Sequence, residues 1–306
     1  MKTICSKCKN HAVTFIRYNG THLCKEHFIK YFEKRVKKEI NKQGKLENNI
    51  KIGVAVSGGK DSIVTLHLIK KIFLKRKNIE IISLSVDEGI KNYRDNSINY
   101  VIENSKKLDI PSVIIDFKNI IGKTMDEIAE YEMDIGYCSF CGVFRRFCLN
   151  CLSKKLKISK LIMGHNLDDM SQSIMMNFVN GDLKKLARLG PHSKIQPGLI
   201  PRMLPLRLIP EKEITLYALL NKISYHDGEC PYAFSALRGV FRDIIDNLEY
   251  KIPGTRHSIL KSYDVIKDKL IDSYPPIKLN NCIKCNEPTS QDICKVCILK
   301  SKLQLL

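Results

Sequence analysis

The stretch IKIGVAVSGGKDSIVTLHLIKKI, residues 50–72, restricts the fold more than any other part of the chain. IKIGVAV is a β-branched apolar run ending at Ser57, the pattern of a strand buried on both faces of a parallel sheet. Gly58 and Gly59 follow, and from Asp61 the apolar residues Ile63, Leu66, Ile69 and Ile72 fall at helical spacing. Strand, glycine turn and helix N-terminus in succession make an anion site of backbone N–H groups and the positive helix end. Further apolar runs at 80–86, 112–116 and 160–163 alternate with helical patterns. The expected fold class is therefore α/β, a parallel sheet with helices on both faces.

The turn is not a Walker A loop, which needs Gly-x4-Gly-Lys-Ser/Thr. Val54 stands where the first glycine would be, and Asp61 where the hydroxyl would be. The hexapeptide Ser57-Gly58-Gly59-Lys60-Asp61-Ser62 instead resembles the PP-loop of the ATP pyrophosphatases. Those enzymes cleave between the α- and β-phosphates of ATP and transfer AMP. The resemblance implies a Rossmann-like sheet in which Ser57 to Ser62 hold pyrophosphate, Lys60 counters its charge and Asp61 places Mg2+.

In 306 residues there are 51 Lys+Arg against 32 Asp+Glu, a formal net charge of +19, which favours a polyanionic partner. The polar start, MKTICSKCKNH, does not read as a signal peptide, and no apolar run approaches a membrane span. A cytoplasmic protein with no membrane contact is expected. In a long cytoplasmic chain, twelve cysteines point to metal rather than disulfides.

Their grouping supports this. Cys5-x2-Cys8 is followed after fifteen residues by Cys24-x2-His27, with a hairpin signal at Tyr18-Asn19-Gly20-Thr21 between the pairs. Four N/S ligands in two close pairs suit a closed, tetrahedral structural zinc. His11 and His22 compete with His27 as fourth ligand, and His27 has the better spacing. Near the other end, Cys282-x2-Cys285 and Cys294-x2-Cys297 flank an eight-residue loop, a four-thiolate zinc knuckle. Each segment has few apolar residues, so metal should supply most of its folding energy.

Five cysteines remain. Cys138 and Cys141 precede Gly142 and a basic helical stretch, Cys148 and Cys151 lie further on, and Cys230 sits in DGECPYA. A thiolate pair at a helix N-terminus has a lowered pKa and is primed for metal or redox work. Taken in order, SGGKDS, CSFCGVFRR, GHNLDDMSQSIMMNF and ECPY, set between two zinc ribbons, resemble the tRNA 2-thiouridine synthetases of archaea, thermophilic bacteria and the eukaryotic cytosol. The match covers nearly the whole chain.

The resemblance implies a [4Fe–4S] cluster on Cys138, Cys141 and Cys230, with one iron left open to take sulfide. Cys148 and Cys151, at i and i+3 of the following helix, are expected to be buried small residues, with a fourth ligand or a redox pair as alternatives. The implied nucleotide contacts run from Ala55 and Val56 through the hexapeptide, with adenine near Val86 at the end of IEIISLSVDEGI. A second loop, after the strand 161–163, adds Gly164 and Asp169, Asp169 being the catalytic carboxylate. Asp168 is expected as an N-cap or salt-bridge partner, and His165 in an orienting role. Arg145 stands where some relatives carry lysine. It would hold phosphate and stabilise charge but cannot act as a base, and Arg146 is its possible substitute. His192, Arg188, Arg202 and Arg207 either line an RNA path or are solvated.

The expected domains are a zinc ribbon at 1–28, a basic helical linker at 29–49, the catalytic domain at 50–275 and a second ribbon at 276–306. The expected function is a tRNA-uridine 2-sulfurtransferase: ATP adenylates the C2 oxygen of uridine, and cluster-bound sulfide replaces it, giving 2-thiouridine, AMP and pyrophosphate. Expected cofactors are ATP, Mg2+, a [4Fe–4S] cluster and two Zn2+. Expected partners are tRNA, a sulfur donor (a ubiquitin-like thiocarboxylate protein or free sulfide) and a second copy in a homodimer. The alternatives are another PP-loop tRNA-modifying enzyme, such as a lysidine synthetase or cytidine thiolase, and a non-catalytic zinc-ribbon RNA-binding protein.

Overall fold

The computed structural model describes residues 3–44, 46, 49–76, 78–131, 136–191, 197–233 and 238–304; His192 lies outside them. An antiparallel hairpin, β1 (Thr14–Ile16) and β2 (Thr21–Leu23), carries the first ribbon. Its turn closes at Gly20, whose φ of 69° is the left-handed conformation glycine adopts without steric cost. Helix α1 (Lys25–Lys42) starts directly after Cys24. Its residues Phe28, Phe32, Val36 and Ile40 recur every fourth position and are buried in the main core. Each contributes about 1.5–3 kcal/mol of burial. The basic stretch is thus helical as expected, and it is packed into the core instead of merely connecting two units.

The central part runs β3 (Ile50–Ala55), α2 (Lys60–Phe73), β4 (Ile79–Asp87), α3 (Arg94–Lys107), β5 (Ser112–Asp116), α4 (Phe117–Ile121), α5 (Met125–Ala129) and α6 (Tyr137–Lys155). It continues through β6 (Lys160–Met163), α7 (Leu167–Val179), α8 (Leu183–Ala187), β7 (Arg202–Met203), α9 (Glu211–Leu220), α10 (Arg238–Lys251) and α11 (Thr255–Ser273). The strands form one parallel sheet in the order β5-β4-β3-β6-β7. Ile52, Val54 and Val56 bury into the core shared with α1 and α2, while Leu84, Val86 and Leu161 bury into a second core with Phe140 and Phe144 of α6. Helices cover both faces, which is why the strands read as unbroken apolar runs.

Strand order reverses at β3. The chain moves outward to β4 and β5, then returns to place β6 on the other side. A crevice opens at such a switch point, beyond the carboxyl ends of the strands. The loops after β3 and β6 face each other there.

The second ribbon is β8 (Asn280–Asn281), β9 (Pro288–Thr289) and α12 (Lys295–Lys302). Cys282, Cys294, Val296, Cys297, Leu299 and Leu303 bury in the same core as Phe140, Phe144 and Cys148. Lys300 Nζ donates to the Ile120 carbonyl at 2.9 Å, and Glu287 meets Lys154 of α6 at 2.8 Å. The ribbon is docked on α6. Among the described residues, no helix is long and apolar enough to cross a membrane.

Candidate functional site

Ala55 ends β3, and Val56 continues it by donating its N–H to the Leu84 carbonyl at 2.8 Å. Gly58 then turns the chain at φ 91°; a Cβ there would lie 2.2 Å from the Ser97 carbonyl oxygen, so only glycine fits. Gly59 caps α2, placing Lys60 and Asp61 in its first turn. Ser62 is buried and shapes the loop: its hydroxyl accepts from Ser57 N–H at 3.1 Å and donates to the Gly59 carbonyl at 2.8 Å. The loop is braced from beneath by buried Arg94, which donates to the carbonyls of Ser57 and Val86 and pairs with Glu88 at 2.7 Å. Val86, expected beside adenine, has its side chain in the core and its carbonyl engaged by Arg94.

The opposite wall comes from the loop after β6. Gly164 approaches α2 so closely that a Cβ would sit 2.9 Å from the Asp61 carbonyl group. Asn166, not Asp168, caps α7, in a capping box with Asp169: Asp169 N–H donates to Asn166 Oδ1 at 2.9 Å and Asn166 N–H to Asp169 Oδ2 at 3.1 Å. Asp168 is the salt-bridge partner of Arg256, at 2.7 Å, and also accepts from Glu211 N–H at 2.8 Å. Asp169 pairs with Arg238 at 3.0 Å.

Lys60 Nζ lies 2.9 Å from Asp61 and 3.1 Å from Glu211. Burial alone would lower the Lys60 pKa, but these two carboxylates outweigh it and hold the ammonium above its usual range. Burial pushes the Asp61 carboxyl up to about 6; Lys60 opposes the rise, and Asp169 and Glu211 add to it. Desolvation lowers the pKa of His165, with Arg238, Arg202 and Arg145 acting in the same sense against Asp169, so the imidazole is neutral at physiological pH. The crevice thus gathers carboxylates from three elements around one lysine at a helix N-terminus, a donor set suited to Mg2+ and a polyphosphate.

Three of the central cysteines, Cys138, Cys141 and Cys230, come together near Arg145 and Glu88. Cys138 and Cys141 sit inside the first turns of α6, and Gly142 is a helical residue beyond them. Burial pushes the Cys141 thiol up to about 11 despite Arg145, contrary to the lowered pKa expected at a helix N-terminus. Desolvation is the largest cause, and the Arg145 charge opposes it. Cys230 arrives from the segment after α9 and is close enough to raise the Cys141 pKa further. Arg145 is exposed toward the crevice, 3.7 Å from Glu88. Cys148 is fully buried, as expected, and its thiol is pushed up to about 12. Cys151 is only half-buried; it faces Glu287 of the second ribbon at 3.8 Å.

At the chain ends, the ligand atoms of Cys5, Cys8, Cys24 and His27 all lie within 4.8 Å of one another, as do those of Cys282, Cys285, Cys294 and Cys297. His27 Nδ1 is 3.3 Å from Cys24 Sγ, which selects it over His11 and His22. Both donor sets fit one zinc ion each. Arg207 belongs neither to an RNA path nor to solvent: it is buried, bidentate to Asp264 at 2.5 and 3.1 Å and 3.6 Å from Glu39. Arg202 lies half-buried at β7 beside Arg146, and Arg188 is exposed.

Residues that the sequence reading passed over are Arg94 and Glu88 under the loop, Glu211 beside Lys60, and Arg238 on Asp169. Arg94 reaches the Ser57 carbonyl, Glu211 reaches Lys60 and Arg238 reaches Asp169 from distant segments. The only local hint was Glu211, an acidic first-turn residue after Pro210 at a helix start.

Comparison with known proteins agrees with this geometry. A PP-loop domain family matches residues 29–248, and the N-terminal LIM domain of the 2-thiouridine synthetase TtuA matches residues 4–29. The chain is 37% identical over 317 residues to tRNA 2-thiolation protein NcsA of Haloferax volcanii, covering 98% of this chain and 99% of that protein. It is 41% identical to a probable sulfurtransferase of Methanocaldococcus jannaschii, covering 98% and 88%. The solved structure of U34-tRNA thiolase NcsA from Methanococcus maripaludis, with its [4Fe-4S] cluster, superposes with a TM-score of 0.86 at 36% identity, covering 99% and 97%. With a PP-loop, two four-ligand ribbons and end-to-end similarity to these proteins, the chain belongs to the PP-loop family of tRNA 2-thiolation proteins.

Proposed function

We propose that this protein is an ATP-dependent tRNA sulfurtransferase that converts a uridine to 2-thiouridine, with position 34 as the target. One observation carries the reading: a pyrophosphate-type loop and a three-cysteine site share one crevice. His226 N–H donates to the Gly58 carbonyl at 3.0 Å, only four residues before Cys230. Adenylation and sulfur delivery need such proximity, because one acts on the oxygen and the other on the carbon of a single carbonyl group.

The loop from Ser57 to Ser62 would hold pyrophosphate as the uridine C2 oxygen attacks the α-phosphorus. Lys60 would neutralise the leaving group, while Asp61, and Asp169 across the crevice, would position Mg2+. Arg145, exposed between the two halves of the site, would bind phosphate and the developing charge at C2. Sulfur then displaces AMP from C2. Cys138, Cys141 and Cys230 suit a polynuclear cluster, since three thiols converge from two segments without reaching the single-ion distances of the end sites. When bound, a [4Fe–4S] group on three thiolates supplies an iron with an exchangeable position for sulfide.

The net charge of +19 supports tRNA as the polyanionic partner. A ubiquitin-like thiocarboxylate protein or free sulfide would donate sulfur. Exposed Phe178 and Val179 on α7 and Val265 and Ile266 on α11 support a homodimer, which sedimentation at micromolar concentration tests. Twelve cysteines, none of them in a disulfide and most of them suited to metal, fit the reducing cytoplasm.

The deciding experiment is anaerobic reconstitution with iron, ATP, sulfide and unmodified tRNA, followed by nucleoside mass spectrometry. Formation of 2-thiouridine and AMP, dependent on iron, is expected. ATP turnover without thiolation would favour another PP-loop modification, and full thiolation without iron would reject the cluster.

A further inference from the structure

Cys230 reaches the crevice on the stretch from His226 to Tyr232 that follows α9, a strap with no helix or strand beyond a bridge at His226. What fixes it is legible in the contacts at its two ends. At the near end, His226 pairs with Gly59 in a parallel bridge and donates its N–H to the Gly58 carbonyl at 3.0 Å. Its ring meets Tyr93 edge-on at 5.2 Å, and the chain folds back under it: a Cβ on Gly228 would lie 2.6 Å from the imidazole. At the far end, Tyr232 Oη donates to Asp126 Oδ1 at 2.7 Å, and the Tyr232 ring lies 5.6 Å from that of Tyr137. The Tyr232 carbonyl accepts from Cys138 Sγ at 3.6 Å, so this residue touches the other half of the cysteine site directly.

The far anchor is itself rigid. Asp126 lies in the first turn of α5, which has a full capping box between Thr124 and Glu127. Met125 N–H donates to the Glu88 carbonyl at 2.7 Å, and Asp126 Oδ2 accepts from Lys91 N–H at 2.8 Å. Glu88 is in turn paired with Arg94, the brace of the nucleotide loop. Both ends of the strap therefore refer back to the same clamp.

We infer that Tyr232, through its hydroxyl bond to Asp126, is the positioning residue that holds Cys230 opposite the Cys138–Cys141 pair. The inference rests on the proposed cluster site and adds what gives that site its geometry. Without the bond, the far end of the strap is held less firmly, and the third thiolate gains freedom to move. A cluster held by two well-placed thiolates and one wandering one dissociates faster.

The test compares Tyr232→Phe, Asp126→Ala and Asp126→Asn in the full chain. Each is reconstituted anaerobically and challenged with an iron chelator while the cluster absorbance decays. One hydrogen bond of ordinary strength corresponds to about a fivefold change in an equilibrium or rate. Tyr232→Phe and Asp126→Ala should each lose iron about fivefold faster than the wild type. Asp126→Asn should stay near wild type, because a carboxamide can still bond both Lys91 N–H and Tyr232 Oη. Zinc content should be unchanged in all three. Wild-type decay in Tyr232→Phe, or loss in Asp126→Asn equal to that in Asp126→Ala, would overturn the inference while leaving the cluster itself in place. Failure of the wild type to take up iron would overturn the cluster reading and this inference together.

Discussion

Asp61→Asn should make the protein more stable and leave it inactive. In the folded chain the Asp61 carboxyl is pushed up to about 6 from its ordinary 3.8, chiefly by burial and against the pull of Lys60. The folded state therefore binds a proton more tightly than the unfolded one. Stability from this group is present below about pH 4 and is lost as pH rises through the window from about 4 to 6. At neutral pH the ionised side chain works against folding by at most about 3 kcal/mol. Because the side chain is 28% exposed, solvent screening reduces this to about 1–2 kcal/mol. Asparagine has the same shape, accepts from Lys60 and carries no charge, so the variant should gain about 1–2 kcal/mol at pH 7.5. Urea denaturation of both proteins, with zinc retained, reads the difference. The increment should shrink toward half at pH 5. The same variant should still bind tRNA while forming no AMP, because the neutral amide is a poor ligand for Mg2+. Equal or lower stability at pH 7.5, or an increment unchanged at pH 5, would refute the argument that burial sets this carboxyl.

Arg94→Ala leaves Glu88 buried without its main partner and frees the carbonyls of Ser57 and Val86; a loss of about 3–5 kcal/mol is expected in urea denaturation. Gly164→Ala forces a methyl to within 2.9 Å of the Asp61 backbone, so the KM for ATP should rise severalfold, with a stability cost of about 1–3 kcal/mol. The double variant Cys148→Ser, Cys151→Ser should keep its iron and its thiolation activity, at about 1–3 kcal/mol for burying a hydroxyl at position 148, whereas Cys138→Ser should lose most cluster absorbance. Metal analysis of the purified protein should find about two zinc per chain, and Cys285→Ser should remove one.

The elements that the sequence determined by itself are those built from neighbours in the chain. A β-branched run, two glycines and a helical period place the loop Ser57–Ser62 at the end of β3 and the start of α2, because strand, turn and helix are each local choices. Cys-x2-Cys and Cys-x2-His pairs declare the two four-ligand sites for the same reason: spacing alone puts each pair on one turn. The parallel sheet was legible in alternating strand and helix patterns, and a strand-like run before the α9 start pointed to β7, whose two residues carry no period to fix its bounds.

Only tertiary structure decided which charged residues turn inward. Arg207 and Arg202 look alike in GLIPRMLPLRLIPEKE, yet one is sealed against Asp264 and Glu39 and the other borders the crevice. A buried charge is tolerable only beside a partner, and the partners here come from helices far away in sequence. Likewise Glu211 meets Lys60 from 151 positions away, and Arg238 meets Asp169 from 69. The rise in the Cys141 and Asp61 pKa values has the same origin. A helix N-terminus can be read from the sequence, but the desolvation that raises these groups depends on everything folded around them.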